Sequence, residues 1–362
     1  MAANPDPHDA SDLFGKIAAW DGQAVVVRYD DPTGTWIFIA LHDATLGRPT
    51  GGTRMKVYPR LADALEDAQR LAEGMTYKWA GVDLPYGGGK AVLAIPRPLA
   101  DDERDGLFHR YGDLLESLDG AFATGADLGT GPEAMATIAQ RTGWVVGTGS
   151  DGSSEDPGPY TARGVFEGLK AALGQVFGSS DLEGRSVVVE GLGGVGEPLA
   201  RQLASEGAEL FLADLDEDKA KALAAELSGG GGSARAIPLA GVIEQACDVY
   251  APCAIGATLN GETIPRLGAR IVAGSANNQL AEPGDAERLH QRGILYVPDY
   301  VINAGGAVAL TRMQDGEIDR QVLFQRVAGL GATVAGLLAE AEKEDVSPLV
   351  AARRKVERLL AR

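Results

Sequence analysis

The stretch SVVVEGLGGVGEPLARQLASEGAELFLADLD, Ser186 to Asp216, decides the fold. Ser186 to Glu190 is an apolar run without polar alternation, which predicts a strand buried on both faces. Gly191-Leu192-Gly193-Gly194-Val195-Gly196 follows directly and opens a helical stretch, Glu197 to Glu206. In that setting the first glycine permits a tight turn, the second lets backbone approach a pyrophosphate, and the third lets helix and strand pack closely. A second strand, Glu209 to Ala213, ends at Asp214, about twenty residues on, where a carboxylate accepts hydrogen bonds from an adenosine ribose. A glycine turn that merely packs would account for neither the triple glycine nor Asp214. Gly191, Gly193, Gly194, Val195, Gly196 and Asp214 therefore predict a dinucleotide site, and the acid, which would repel a 2′-phosphate, favours NAD over NADP.

Outward from this core the β-α-β pattern continues. A helix over Glu217 to Leu227 and a loop tip, SGGGGS, precede short strands at Asp248 to Ala251, Arg270 to Ala273 and Ile294 to Tyr296. That alternation predicts a parallel sheet with helices on both faces. Asp319 to Arg362 reads as a pair of amphipathic helices without strands. The N-terminal part mixes elements: a hairpin between Gln23 and Ala40, an amphipathic helix over Leu61 to Met75, a glycine stretch Gly87-Gly88-Gly89-Lys90 leading into the strand AVLAI, a helix over Asp101 to Leu118 and a strand over Phe122 to Leu128. The Gly, Ser, Asp and Pro of GTGSDGSSEDPGPY mark a boundary. The expected architecture is α/β with two domains. Residues 1–145 form a mixed substrate-binding and oligomerisation domain, residues 146–319 a Rossmann-type domain, and the helices of 320–362 pack back on the first. The active site is expected in the cleft between the domains.

Composition excludes whole classes. In 362 residues, 45% hydrophobic and 23% charged, there is material for a real core, and disorder, collagen and a disulfide mini-protein are out. The 51 acidic against 33 basic residues leave a charge of -18, which repels phosphate backbones and anionic lipid, so no nucleic-acid or membrane partner is expected. No segment reads as the ~20 apolar residues of a membrane helix, and Met1 to Ser11 reads as a frayed terminus rather than a leader. Two cysteines and no Cys/His cluster argue against a disulfide framework or a metal site, and a cytoplasmic location fits. Glycine, 49 residues, is about twice its usual share of ~7%.

Lys78 and Lys90 are the other informative pair. A lysine just after three glycines stands on backbone that another molecule can approach. Two lysines in one cleft depress each other's pKa, so that one holds a carboxylate while the other serves as a neutral amine. The alternative is that each is solvated surface, but neither lies on the charged face of a helix.

Arg48-Pro49-Thr50-Gly51-Gly52-Thr53-Arg54-Met55, Gly74-Met75-Thr76-Tyr77-Lys78, Leu84-Pro85-Tyr86-Gly87-Gly88-Gly89-Lys90 and Thr124-Gly125-Ala126-Asp127-Leu128-Gly129-Thr130 resemble signatures of the glutamate/leucine/phenylalanine/valine dehydrogenase superfamily. The likeness continues through GLGGVG, Ala251-Pro252-Cys253-Ala254, Gly274-Ser275-Ala276-Asn277-Asn278-Gln279 and Pro298 to Gly306, in family order. The resemblance implies reversible oxidative deamination of an L-amino acid with NAD to a 2-oxo acid, ammonia and NADH, by a homo-oligomer. It implies that Lys78 grips the substrate carboxylate with the Gly51-Gly52 backbone nearby, that Lys90 is the catalytic amine, and that Asp127 exchanges a proton with the substrate nitrogen. Asn278 falls at a substrate-side position and Asn303 beside the cofactor. Glutamate-specific members carry a lysine where this chain has Thr50, which disfavours glutamate. Gly125, Ala307 and Leu310 stand where leucine enzymes tend to carry alanine and two valines, and look more like the phenylalanine enzymes. An aromatic or other large apolar amino acid is favoured, a branched-chain substrate is the alternative, and a noncatalytic NAD-binding homologue is the reading from another class.

Overall fold

The computed structural model describes residues 7–147, 155–230, 232–314, 316 and 319–361. Two compact units result: Met1–Glu155 with Leu310–Ile318 and Leu359–Arg362, and Asp156–Ala309 with Asp319–Arg358.

The first unit runs α1 (Pro7–Ala19), β1 (Ala24–Asp30), β2 (Thr35–Asp43), β3 (Pro49–Lys56), α2 (Leu61–Gly81), β4 (Gly87–Ala94), α3 (Asp101–Ser117), β5 (Ala123–Ala126) and α4 (Pro132–Ala139). Its five strands are ordered β1-β2-β4-β3-β5; β1/β2 and β2/β4 are antiparallel, and β3 is parallel to both β4 and β5. Period-2 alternation sorts side chains to two cores. Phe38, Ala40, Val92 and Ala94 pack on Ala64, Leu65, Ala68 and Ala72 of α2, while Ile37, Ile39, Ala91 and Leu93 join Leu107, Phe108 and Tyr111 of α3. The alanines of α2 let that helix settle close to the sheet.

The second unit runs α5 (Pro157–Phe177), β6 (Ser186–Glu190), α6 (Gly196–Ser205), β7 (Glu209–Ala213), α7 (Glu217–Gly229), β8 (Ser233–Ala236), β9 (Cys247–Pro252), β10 (Ala269–Val272), α8 (Gly284–Gln291), β11 (Leu295–Tyr296), α9 (Asp299–Ile302), α10 (Gly305–Gln314, whose last turns fall in the first unit), α11 (Arg320–Ala328), α12 (Leu330–Glu344) and α13 (Pro348–Leu359). All its strand pairs are parallel, in the order β11-β10-β9-β6-β7-β8. The order reverses beside β6, the switch point at which ligands of open α/β sheets bind.

Several expectations are corrected. The C-terminal helices are three, and those of Asp319–Arg358 belong to the second unit rather than the first. The reason lies in α5: Gly164 and Gly168 leave grooves there, filled by Leu330 and Val334 of α12. The boundary falls between Glu155 and Asp156, about ten residues later than the composition suggested. Residues 148–154, within the stretch that marks a boundary by composition, and Met1 to Asp6 lie outside the described residues, but Pro7 to Ser11, expected to be frayed, belong to α1. Arg320–Glu344 is, by length and composition, apolar enough to cross a membrane, unlike any segment picked out from sequence. Its side chains Leu323, Val327, Leu330, Val334 and Leu338 are buried, although only 33% of its most apolar window is. Five elements, β3, α4, β8, α9 and α10, carried no expectation.

Candidate active site

Three strands of the first unit converge on Lys90. Its strand, β4, is buried at all eight positions, and Lys90 itself is 4% exposed. The ammonium donates to Oδ2 of Asp127, just beyond β5. The other oxygen, Oδ1, accepts from Nε of Arg54 at 3.0 Å and from the backbone N–H of Leu128 at 2.6 Å. Arg54, on β3, also donates from Nη1 to both oxygens of Asp67, at 3.0 and 3.3 Å. Asp67, on α2, accepts further from Tyr58 at 2.7 Å and Arg70 at 2.8 Å.

Burial pushes the Asp127 carboxyl up, but Lys90 and Arg54 outweigh it and hold that carboxyl well below the usual range. Burial pulls Lys90 down, with Asp127 opposing and Arg54 adding to the fall. The carboxylate thus stays ionised, and the lysine is the partner that gives up its proton more readily than a solvated one. Arg54 is the cation beside Asp127, a part that sequence reasoning did not give it. Lys78 lies half-buried in the last turn of α2.

The glycines around this cluster let backbone and side chains close in. A Cβ on Gly52 would lie 2.8 Å from the Ala126 carbonyl, 2.9 Å from Asp127 Cβ and 3.2 Å from Lys90 Nζ, so its absence admits β5 and lets the Lys90–Asp127 pair lie against β3. A Cβ on Gly51 would meet the Gly89 carbonyl at 1.9 Å, one on Gly88 would meet Thr76 Oγ1 at 1.9 Å, and one on Gly89 would strike the Phe122 ring. Thr50 is buried, its hydroxyl donating to the Arg48 carbonyl at 3.0 Å while its own carbonyl accepts from Trp79 Nε1 at 2.8 Å. Gly125 gives no free volume, because Val146 Cγ2 would lie 2.7 Å from a Cβ there. Leu310 belongs to the same unit, its side chain against Gly147 and its carbonyl accepting from the Gly147 N–H.

In the second unit, Gly191 has φ +87°, donates to the Ala213 carbonyl at 2.8 Å and has no room for a Cβ against Ala254. A Cβ on Gly196 would reach the Gly191 carbonyl at 1.8 Å, whereas one on Gly193 or Gly194 would meet nothing within 4 Å. Val195 caps α6. This outward backbone at a helix N-terminus fits a pyrophosphate. Asp214 accepts from the N–H of Leu192 at 2.6 Å and of Asp216 at 2.9 Å. Burial raises its carboxyl, but these donors prevail and hold it below the usual range, so it is an anion where a ribose would lie. Asn303, 6% exposed, donates to Asn277 Oδ1 at 2.8 Å and the Ser275 carbonyl at 3.2 Å. Its own Oδ1 has no hydrogen-bond partner among the described residues. Asn278 is exposed in the left-handed region, φ +52°, and its carbonyl accepts from Ala257. Ala307 is half-buried on α10. Gly305 and Gly306 press α10 against Tyr160, Pro157 and Thr161 of α5. Among the described residues no group of three or more His, Cys, Asp or Glu could hold a metal ion.

Residues 25–144 match the family described as Glu/Leu/Phe/Val dehydrogenase, dimerisation domain, and residues 211–316 match Glutamate/Leucine/Phenylalanine/Valine dehydrogenase, together more than half of the chain. The chain belongs to the Glu/Leu/Phe/Val dehydrogenase family. It is 39% identical over 352 residues to leucine dehydrogenase of Bacillus cereus, covering 97% of this chain and 94% of that one. It is 37% identical over 353 residues to phenylalanine dehydrogenase of Lysinibacillus sphaericus, covering 96% and 91%. The crystal structure of L-tryptophan dehydrogenase from Nostoc punctiforme superposes with a TM-score of 0.81 at 36% identity, covering 96% of this chain and 98% of that one. As a member of the Glu/Leu/Phe/Val dehydrogenase family, the protein is an amino acid dehydrogenase, an oxidoreductase acting on a CH–NH2 group with a nicotinamide dinucleotide. Sequence reasoning quoted Arg54 and Asn277 within motifs without a role for either, and passed over Tyr58, Asp67 and Val146. Asp67 sits among the charges of an ordinary amphipathic helix, so only its contact with Arg54 singles it out.

Proposed function

We propose that the protein catalyses the reversible, NAD-dependent oxidative deamination of an apolar L-amino acid, an aromatic one such as phenylalanine before the branched aliphatic ones. The observation that carries the chemistry is the buried Lys90–Asp127 pair, which lies against the backbone of Gly52. Lys78 holds the substrate carboxylate, with the Gly51-Gly52 backbone beside it. Asp127, held ionised, takes a proton from the substrate ammonium, leaving a nitrogen lone pair that assists departure of the Cα hydride. Gly191 to Gly196 and Asp214 would hold NAD, which would supply the hydride acceptor. Lys90, as a neutral amine, takes a proton from the water that attacks the resulting iminium carbon; collapse then expels ammonia and leaves the 2-oxo acid. Asn277 and Asn303 orient the reactants, with Asn278 on the substrate side.

Thr50 offers no cation for a distal carboxylate, which disfavours glutamate. The resemblance of Gly125, Ala307 and Leu310 to the phenylalanine enzymes supports an aromatic substrate. The second reading, leucine or valine, is favoured by Val146, which occupies the space Gly125 leaves. NAD rather than NADP follows from the Asp214 anion, because like charges brought together cost several kcal/mol. We place the enzyme in the cytoplasm as a homo-oligomer; both cysteines are free.

The test is NADH formation across a panel of L-amino acids. The aromatic members should lead, NADP in place of NAD should lower kcat/KM about 100-fold or more, and Lys90→Ala should abolish turnover while still binding NADH. A Lys90→Ala enzyme with parental kcat sinks the mechanism.

A further inference from the structure

The charged network around Asp127 is larger than the reaction just described uses. Arg54 has Asp127 on one side, 3.0 Å from Nε, and Asp67 on the other, 3.0 Å from Nη1. Asp67 is fixed in its turn by Tyr58 and Arg70. The side chains of Arg54, Asp127 and Asp67 are 20%, 19% and 12% exposed, so the chain of contacts is largely withdrawn from water. Buried ion pairs are a poor source of stability, since desolvation cancels much of their attraction and apolar packing does as well. A stabilising role therefore accounts weakly for a six-residue network ending on Lys90.

We propose that Arg54 is a positioning residue for the deamination: it fixes Asp127 with Oδ2 toward Lys90, and its permanent charge, held in place by Asp67, favours the neutral form of that lysine. The inference rests on the roles given above to Lys90 and Asp127.

The charge arithmetic supports it. The groups facing the pair come from every element around it: Lys90 on β4, Asp127 after β5, Arg54 on β3, Tyr58 after β3, and Asp67 and Arg70 on α2. Lys56 lies farther out, over the Tyr58 ring at 4.4 Å, and Lys78 occupies the last turn of α2. Within the bonded set two arginines face two carboxylates. That set is neutral when Lys90 is an amine and carries one positive charge when Lys90 is protonated. Removing Arg54 turns the first state into a net anion, which draws a proton onto Lys90. The guanidinium fork also serves where a lysine cannot: Nε and Nη1 hold two carboxylates at once, in fixed relative orientation. Tyr58, with its hydroxyl on Asp67, keeps the far end from turning away.

The experiment uses the full-length enzyme with NAD and either L-phenylalanine or L-leucine, whichever turns over faster, and follows kcat/KM against pH. The rate rises with pH as Lys90 loses its proton. In Arg54→Gln this rising limb should move to higher pH by about 0.5 to 1 unit. kcat should fall about 10- to 100-fold with the KM for NAD unchanged. Arg54→Lys should restore the limb and recover part of kcat, because it returns the charge without the fork. Tyr58→Phe should move the limb the same way by less; it carries the test if Arg54→Gln does not fold, as judged by circular dichroism and thermal unfolding. A folded Arg54→Gln with an unmoved limb, or an Arg54→Lys no better than Arg54→Gln on both measures, overturns the positioning role. An active Lys90→Ala would instead overturn the assignment of Lys90 on which the proposal stands, so the two failures are distinguishable.

Discussion

Two glycine-rich segments dominate this chain, Gly87-Gly88-Gly89 in the first unit and Gly191 to Gly196 in the second, and they use the missing side chain in opposite directions. In the first, a Cβ on Gly88 would lie 1.9 Å from Thr76 Oγ1 and 2.4 Å from the Ala72 carbonyl. In the second, the middle glycines face open space. One segment admits protein to protein, drawing α2 onto β4 and aligning the strand that bears Lys90. The other leaves backbone turned outward, as phosphate recognition requires. Glycine in a sequence therefore does not by itself announce a ligand; what stands opposite its Cα decides.

The sharpest way to break this distinction is to add one methyl group to each segment. Gly88→Ala places that methyl against the backbone of α2, which cannot yield as a flexible side chain would. The expected loss is about 3 kcal/mol or more of stability, read as a large drop in the thermal unfolding midpoint. Gly193→Ala should change stability by less than about 0.5 kcal/mol and instead weaken NADH binding about tenfold, since backbone approach to the pyrophosphate is what that glycine permits. Calorimetric titration with NADH alongside thermal unfolding separates the two. If Gly193→Ala melted like Gly88→Ala, or bound NADH like the parent, the contrast would be lost.

The same contrast explains what was readable from residues alone. The second unit's core is local: a buried strand, a turn and a helix lie consecutively from Ser186 to Ser205, so spacing and polarity suffice. In the first unit the informative contacts are distant in sequence. Strand β3 escaped notice because Pro49, Gly51 and Gly52 are turn residues by composition, yet β4 and β5 flank it and the glycines are what let their backbones approach. Gly87 to Gly89 were read as approach to a substrate for the same reason. Lys90 and Asp127 were legible through family resemblance, and the structure brings them into contact. Arg54 and Asp67, thirteen residues apart, required β3 and α2 to be placed side by side. The C-terminal helices were assigned to the wrong unit because amphipathic periodicity says that a face is buried, not against what.

Gly125 is the position where the two uses of glycine compete, and it carries the smallest expected effect. From sequence its missing side chain reads as room for a larger substrate, whereas the structure gives that room to Val146, 2.7 Å from where a Cβ would sit. Unlike the carbonyls facing Gly88, the neighbour is a side-chain methyl on a single rotor, so it can be removed without disturbing backbone. Gly125→Ala alone should destabilise by about 1 kcal/mol through overpacking, and Val146→Ala alone by a similar amount through lost contacts. Together they should cost less than their sum, with a coupling of about 1 kcal/mol measured by thermal unfolding of all four proteins. If Val146 also bounds the substrate side chain, Val146→Ala raises kcat/KM for phenylalanine relative to leucine by roughly tenfold, within the 1 to 3 kcal/mol that a few methyl groups command. Coupling in stability without a change in that ratio would make Gly125 a packing glycine like Gly88; a changed ratio without coupling would give it to the substrate.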